Sequence, residues 1–172
     1  MMQPFAFTIK SNSGILNQLT TMVNVVVPNT KSANQVKAIW DTGATASVIT
    51  ENVVKALGLI PTGMSHVHTA NGPTIQSTYI VDIVLPNGLK VRDVTVTGAI
   101  ALSGGCDVLI GMDIIALGDL SITNHKGCTC MSFRIPSMHE IDYVKNLNFK
   151  LTPNIKAGQP GSNVTPKKKK RR

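Results

Sequence analysis

Ile39-Trp40-Asp41-Thr42-Gly43-Ala44-Thr45-Ala46-Ser47-Val48-Ile49-Thr50 is the stretch around which the rest of the chain makes sense. An apolar approach through Ala38, Ile39 and Trp40 delivers one carboxylate, Thr42 and Gly43 turn the backbone, and Ser47, Val48 and Ile49 lead away as a second strand. Asp41 is therefore expected on a tight turn between apolar walls. Glycine at position 43 gives such a turn its backbone freedom, and the hydroxyls of Thr42 and Thr45 are expected to hold it by bonding neighbouring backbone groups. By itself, Asp-Thr-Gly also suits an ordinary Asx-type turn of a β protein.

A second stretch, Asp107-Val108-Leu109-Ile110-Gly111-Met112-Asp113, turns the reading toward chemistry: an apolar strand runs into a glycine and then into a short helical pattern. With D-T-G-A-T at Asp41 to Thr45 followed at a distance by D-V-L-I-G at Asp107 to Gly111, the sequence resembles the retroviral-type (retropepsin-like) aspartic proteases, in particular single-domain members outside retroviruses. The resemblance spans roughly residues 20–136. It implies a mostly β fold, a closed acid-protease barrel of the retropepsin type with one or two short helices. Asp41 would be the catalytic carboxylate, supported by Thr42, Gly43, Ala44 and Thr45, with Thr42 bonding across a dimer axis and Gly43 positioning substrate backbone. Val108, Leu109, Ile110 and Gly111 would pack beside the catalytic loop, and a flap would turn at Ala70, Asn71, Gly72 and Pro73. No metal or cofactor is implied. Met112 stands where the retroviral enzymes usually carry an arginine that braces the dimer.

The chemistry can also be built without the family. Hydrolysis of a peptide by carboxylates needs one group to take a proton from water and another to protonate the carbonyl oxygen or leaving nitrogen. Two carboxylates about 3 Å apart cannot both ionise, so they share a proton and supply an acid and a base together. The chain has one Asp-Thr-Gly and no second copy of it. A two-fold homodimer resolves this, since symmetry sets Asp41 of each copy across the axis. The expected partners are thus a second copy and a peptide or protein substrate. The rival reading keeps the protease-like barrel as a binding module that holds protein or nucleic acid without cutting.

Around the motif the pattern is that of short strands. Residues 4–10 and 21–27 and Val36 to Trp40 are rich in apolar and β-branched residues, with turn chemistry at Ser11 to Gly14 and Pro28 to Asn34. Thr50 is placed to cap a short helix through Leu57, ending at Gly58. Residues 64–85 read as a hairpin around Asn71-Gly72, and Leu85 to Leu89 as a second turn. A two-residue period follows at Val91, Val94 and Val96. A helix over Met112 to Leu117 is expected to stop at Gly118, before a last hairpin turning at Asn124 to Gly127.

The 172 residues read as one domain over 1–136 with its core in 20–136, an extension over 137–150 with a helical pattern, and a disordered basic tail over 151–172. The net charge of +8 is concentrated in that tail: Lys167 to Arg172 hold six of the 17 basic residues and leave 11 against 9 acidic ones. Such a tail is a solubilising segment first, with nucleic-acid contact or a targeting address as sharper readings of residues 167–172. No apolar run is long enough for a membrane span and no signal peptide is legible. Three cysteines, Cys106, Cys128 and Cys130, argue against a disulfide framework, so a reducing, cytoplasmic setting is expected. His66, His68, Cys128 and Cys130 form a weak zinc alternative, because their spacing is not that of the usual ligand pairs. Cys106 after Ser103-Gly104-Gly105 is a weaker nucleophile candidate, with no histidine placed beside it. Asn163-Val164-Thr165 is a glycosylation sequon by spelling only.

Overall fold

The computed structural model describes residues 5–69 and 72–145. Ten strands and two short helices form two sheets: β1 (Phe5–Lys10), β2 (Thr20–Val26), β3 (Ala33–Trp40), β4 (Val48–Thr50), α1 (Glu51–Leu57), β5 (Gly63–Thr69), β6 (Gly72–Val84), β7 (Lys90–Ala99), β8 (Val108–Ile110), α2 (Met112–Ile115), β9 (Asp119–Thr123) and β10 (Cys130–Ile135). The larger sheet runs β2-β3-β8-β4-β7-β6-β5. Asn24 to Val26 of β2 also pair with Val84 to Asp82 of β6, which closes six of its strands into a ring. Alternation in each strand turns one set of apolar side chains inward. Val23, Val25, Ala38, Ile49, Val81, Ile83, Val96, Val108 and Ile110 meet there with almost no exposure. The mostly β class with two short helices expected from the sequence is the one observed.

The second sheet, β1-β10-β9, is assembled from the two ends of the described chain. It meets the ring through an aromatic cluster in which the Phe7, Trp40 and Phe133 rings lie 4.9 to 6.1 Å apart at tilted or edge-on angles. Trp40 is thereby wedged directly before Asp41, and its indole Nε1 donates to Thr21 Oγ1 at 3.1 Å. On the outer face of this sheet, Asp119 accepts from Ser137 Oγ at 2.5 Å, the Met138 N–H at 2.9 Å and Arg134 Nε at 2.7 Å. The Ser137 hydroxyl, the Met138 amide and the Arg134 guanidinium hold the Asp119 carboxyl well below the usual carboxylate range. This clasp folds the chain after β10 back onto the start of β9.

Several local expectations are corrected. Thr50 has N-cap backbone geometry, but its hydroxyl makes no cap; it donates to Asp107 Oδ1 at 2.6 Å instead. The step from Val91 to Val94 is three residues because a bulge shifts the register of β7 against β6, with Asp93 at φ 54° and its N–H bonded to the buried Asp82 carboxylate at 3.0 Å. The second helix stops after Ile115, two residues short of the expected Leu117, before the tight turn at Gly118. Residues 138–145 are not helical: Met138 is held by Asp119, and Asp142 Oδ1 takes the Val144 and Lys145 N–H groups into an Asx-type turn. Residues 146–150 and the basic tail lie outside the described residues, as do flap positions Ala70 and Asn71. No described helix is long and apolar enough to cross a membrane.

Candidate active site

The Asp41 turn is built by three strands. β3 pairs in parallel with β8, Ala38 to Trp40 against Val108 to Ile110, and β4 pairs antiparallel with β8, Val48 and Ile49 against Leu109 and Val108. A single central strand therefore holds both arms of the loop, and buried Val108 and Ile110 anchor it in the core. The Asp41 N–H donates to the Ile110 carbonyl at 3.0 Å where β3 ends. Asp41 is half-buried, while Thr42 and Gly43 are exposed.

The turn is tied by the aspartate itself rather than by threonine hydroxyls. The Gly43 N–H donates to Asp41 Oδ1 at 2.8 Å and the Ala44 N–H to the Asp41 carbonyl at 3.3 Å. Among the described residues the Thr42 and Thr45 hydroxyls make no hydrogen bond; Thr45 contributes its carbonyl, which accepts from the Asp113 N–H at 3.2 Å. Among them Asp41 Oδ2 likewise has no hydrogen-bond partner, so one oxygen is held by the turn and the other is not. Gly43 is not in the left-handed region, contrary to the freedom expected of it. Its glycine character matters for space, since a Cβ there would stand 3.2 Å from Asp41 Oδ1. Gly43→Ala is therefore expected to cost less than about 1 kcal/mol of stability while turning the Asp41 carboxylate. Thermal melting near that of the parent together with a large fall in any Asp41-dependent activity is the signature to look for.

Two residues that the sequence reading passed over complete the loop's support. Ser47, fully buried, donates its N–H to Asp113 Oδ2 at 3.0 Å and its hydroxyl to Asp113 Oδ1 at 2.8 Å, and its oxygen accepts from the Gly111 N–H at 3.1 Å. The Met112 N–H donates to the Ala44 carbonyl at 2.8 Å. Met112 itself is 37% exposed beside the loop, at the position where the resemblance leads one to look for a bracing arginine. The small hydroxyl in a run of apolar residues and the acidic residue two beyond the strand-ending glycine were the available signals.

The remaining candidates fall in other places. The β5–β6 hairpin sets Met64 opposite Ser77 and His66 opposite Ile75, on a face where Met64, His66 and Ile75 are exposed. Ser65, Val67 and Gln76, on the other face, are half-buried. Gly72 and Pro73 open β6, with Gly72 at φ 106°. His66 stands on the ring sheet's outermost strand, whereas Cys130 belongs to the other sheet, and among the described residues no three potential ligands gather as a metal site would need. Cys106, the weaker nucleophile candidate, is buried.

The family described as "gag-polyprotein putative aspartyl protease" matches residues 28–116, a span running from the turn after β2 through α2. No curated protein matches the chain. Similar solved structures include a retropepsin-like aspartic protease from Rickettsia conorii, 16% identical with a TM-score of 0.46 over 78% of this chain and 98% of that one. The EIAV protease in complex with the inhibitor HBY-793 is 19% identical with a TM-score of 0.47, over 58% of this chain and 86% of that one. The protease of Simian Foamy Virus (mac), solved in solution, is 20% identical with a TM-score of 0.39, over 56% and 92% respectively.

Proposed function

The chain belongs to the gag-polyprotein aspartyl protease family, and on that premise we propose that it is a homodimeric aspartic endopeptidase whose site forms when Asp41 of two copies meet across a two-fold axis. The observation that carries this reading is the half-buried Asp41 carboxylate on a turn braced from both sides, with Oδ1 oriented by the Gly43 amide. In the pair, one carboxylate takes a proton from the attacking water and the other protonates the substrate carbonyl. Two exposed Thr42 side chains flank the axis, and the β5–β6 hairpin closes over the substrate, with Ser65, Val67 and Gln76 as inward walls.

An open sheet edge supports assembly with a second copy. β9 bonds only β10 among the described residues, and its one charged residue, Asp119, is engaged by its own chain. Leu120 to Thr123 carry no lysine, proline or bulge of the kind that guards edges, and Ile122 is 45% exposed. Antiparallel pairing of β9 with its twin is self-complementary, as a two-fold axis requires.

Two measurements test the proposal together. Cleavage of an unfolded protein such as casein should be blocked by pepstatin and should rise faster than linearly with enzyme concentration where the dimer dissociates. Ile122→Lys should raise the dimer dissociation constant at least about tenfold in sedimentation equilibrium, because each copy would then bring an added positive charge to the shared edge. A protein that dimerises yet leaves casein intact would favour the binding module instead.

A further inference from the structure

We propose that Asp113 is a positioning residue for the Asp41 loop, acting through the buried hydroxyl of Ser47. The loop has two ends. The first is set by β3 pairing with β8 and by the Asp41 N–H on the Ile110 carbonyl. The second is set by Ser47, which is held by side-chain chemistry as well as by the strand that follows it.

Three donors converge on the Asp113 carboxylate: the Ser47 N–H at 3.0 Å, the Ser47 hydroxyl at 2.8 Å and the Ile114 N–H at 3.0 Å. The same hydroxyl oxygen accepts from the Gly111 N–H at 3.1 Å, so one buried group ties the loop to both the end of β8 and the start of α2. No lysine, arginine or histidine pairs with Asp113 among the described residues. Its role there is that of an acceptor for amide and hydroxyl protons. An asparagine has one acceptor oxygen, and its NH2 would face a donor at Ser47. Carboxylate chemistry is what this corner requires.

The coupling to Asp41 is mechanical and short. A Cβ on Gly111 would lie 2.6 Å from the Ala46 carbonyl carbon and 2.7 Å from its oxygen, so the loop backbone rests on Gly111 without slack. Any shift of Ser47 must move Ala44 to Ala46, and the Ala44 N–H is bonded to the Asp41 carbonyl. Asp113 thus sets the carboxylate of Asp41 without touching it.

The activity part of the test rests on the protease reading; the other part does not. In the full-length chain, Asp113→Ala should lower kcat about a hundredfold and Asp113→Asn about tenfold, with KM within about twofold, since a displacement near 1 Å at a reacting group has effects of this size. Exchange of the Gly43 amide, which reports on the Asp41 carboxylate and bonds no atom of Asp113, should quicken at least about tenfold in both variants. Ser47→Ala combined with Asp113→Ala should cost less than the two singles added together. Should Asp113→Ala fail to fold, Asp113→Asn decides. Variants that fold with parental kcat and parental Gly43 exchange overturn the proposal. Faster Gly43 exchange in a protein that cleaves nothing upholds the positioning role and removes the protease reading alone.

Discussion

Asp41→Asn is expected to reduce cleavage of an unstructured peptide by at least about a thousandfold while leaving the melting temperature within a degree or two of the parent. The amide oxygen can still accept from the Gly43 N–H, now 2.8 Å from Oδ1, so the turn survives. What is lost is the shared proton: an amide beside a carboxylate is neither acid nor base in the required sense. The sharper form of the experiment mixes subunits. At concentrations where dimers prevail, equal amounts of parent and variant should leave only about a quarter of the dimers with two carboxylates. An equal addition of variant should then halve the activity of a fixed amount of parent, and a large excess should extinguish it. If the variant leaves parental activity untouched at every ratio, each copy works alone and the shared-site reading is wrong.

The second large effect is expected at Gly111. Replacing it with alanine sets a Cβ against three backbone atoms, the Ala46 carbonyl carbon at 2.6 Å, the Ala46 oxygen at 2.7 Å and the Ala44 oxygen at 3.1 Å. None belongs to a flexible side chain that could swing away. Relief requires the loop to lift from β8, which stretches the bonds from Gly111 and Asp113 to Ser47 and from Met112 to Ala44. A loss of about 2–4 kcal/mol follows from such overpacking in a fully engaged region, or a fall of about 5–15 °C in Tm for a chain of this size. Activity should fall further than stability does, since the molecules that remain folded carry a displaced Asp41. A melting temperature within about 2 °C of the parent would show that the loop has slack that these distances deny.

These two positions differ in how visible they were beforehand. Asp41 stands in a motif whose residues are adjacent in the chain, and the apolar strand before it and the glycine after it state the turn directly. Gly111 was legible as the end of an apolar strand, but not as the floor on which Ala46 rests, because Ala46 lies 65 positions away in sequence. Ser47 and Asp113 were missed for the same reason. Each is an unremarked polar residue in its own neighbourhood, and their meaning comes only from the pairing of β4 and β3 with opposite sides of β8. The hydroxyls of Thr42 and Thr45 erred the other way: they were given work that the Asp41 carboxylate performs itself by accepting the Gly43 N–H.

From its sequence alone this chain determined its strand-rich class, the turn that presents Asp41, the apolar strand that accompanies it and the family these motifs mark, since all of these are written in residues close together. The tertiary structure decided how the ring of strands closes, which residues share each face of the β5–β6 hairpin, and that the two ends of the described chain build a separate sheet with β9 at its edge among the described residues. Those outcomes depend on register between distant strands, where side-chain volume and hydrogen-bond partners compete across the whole core, and no local stretch carries that information.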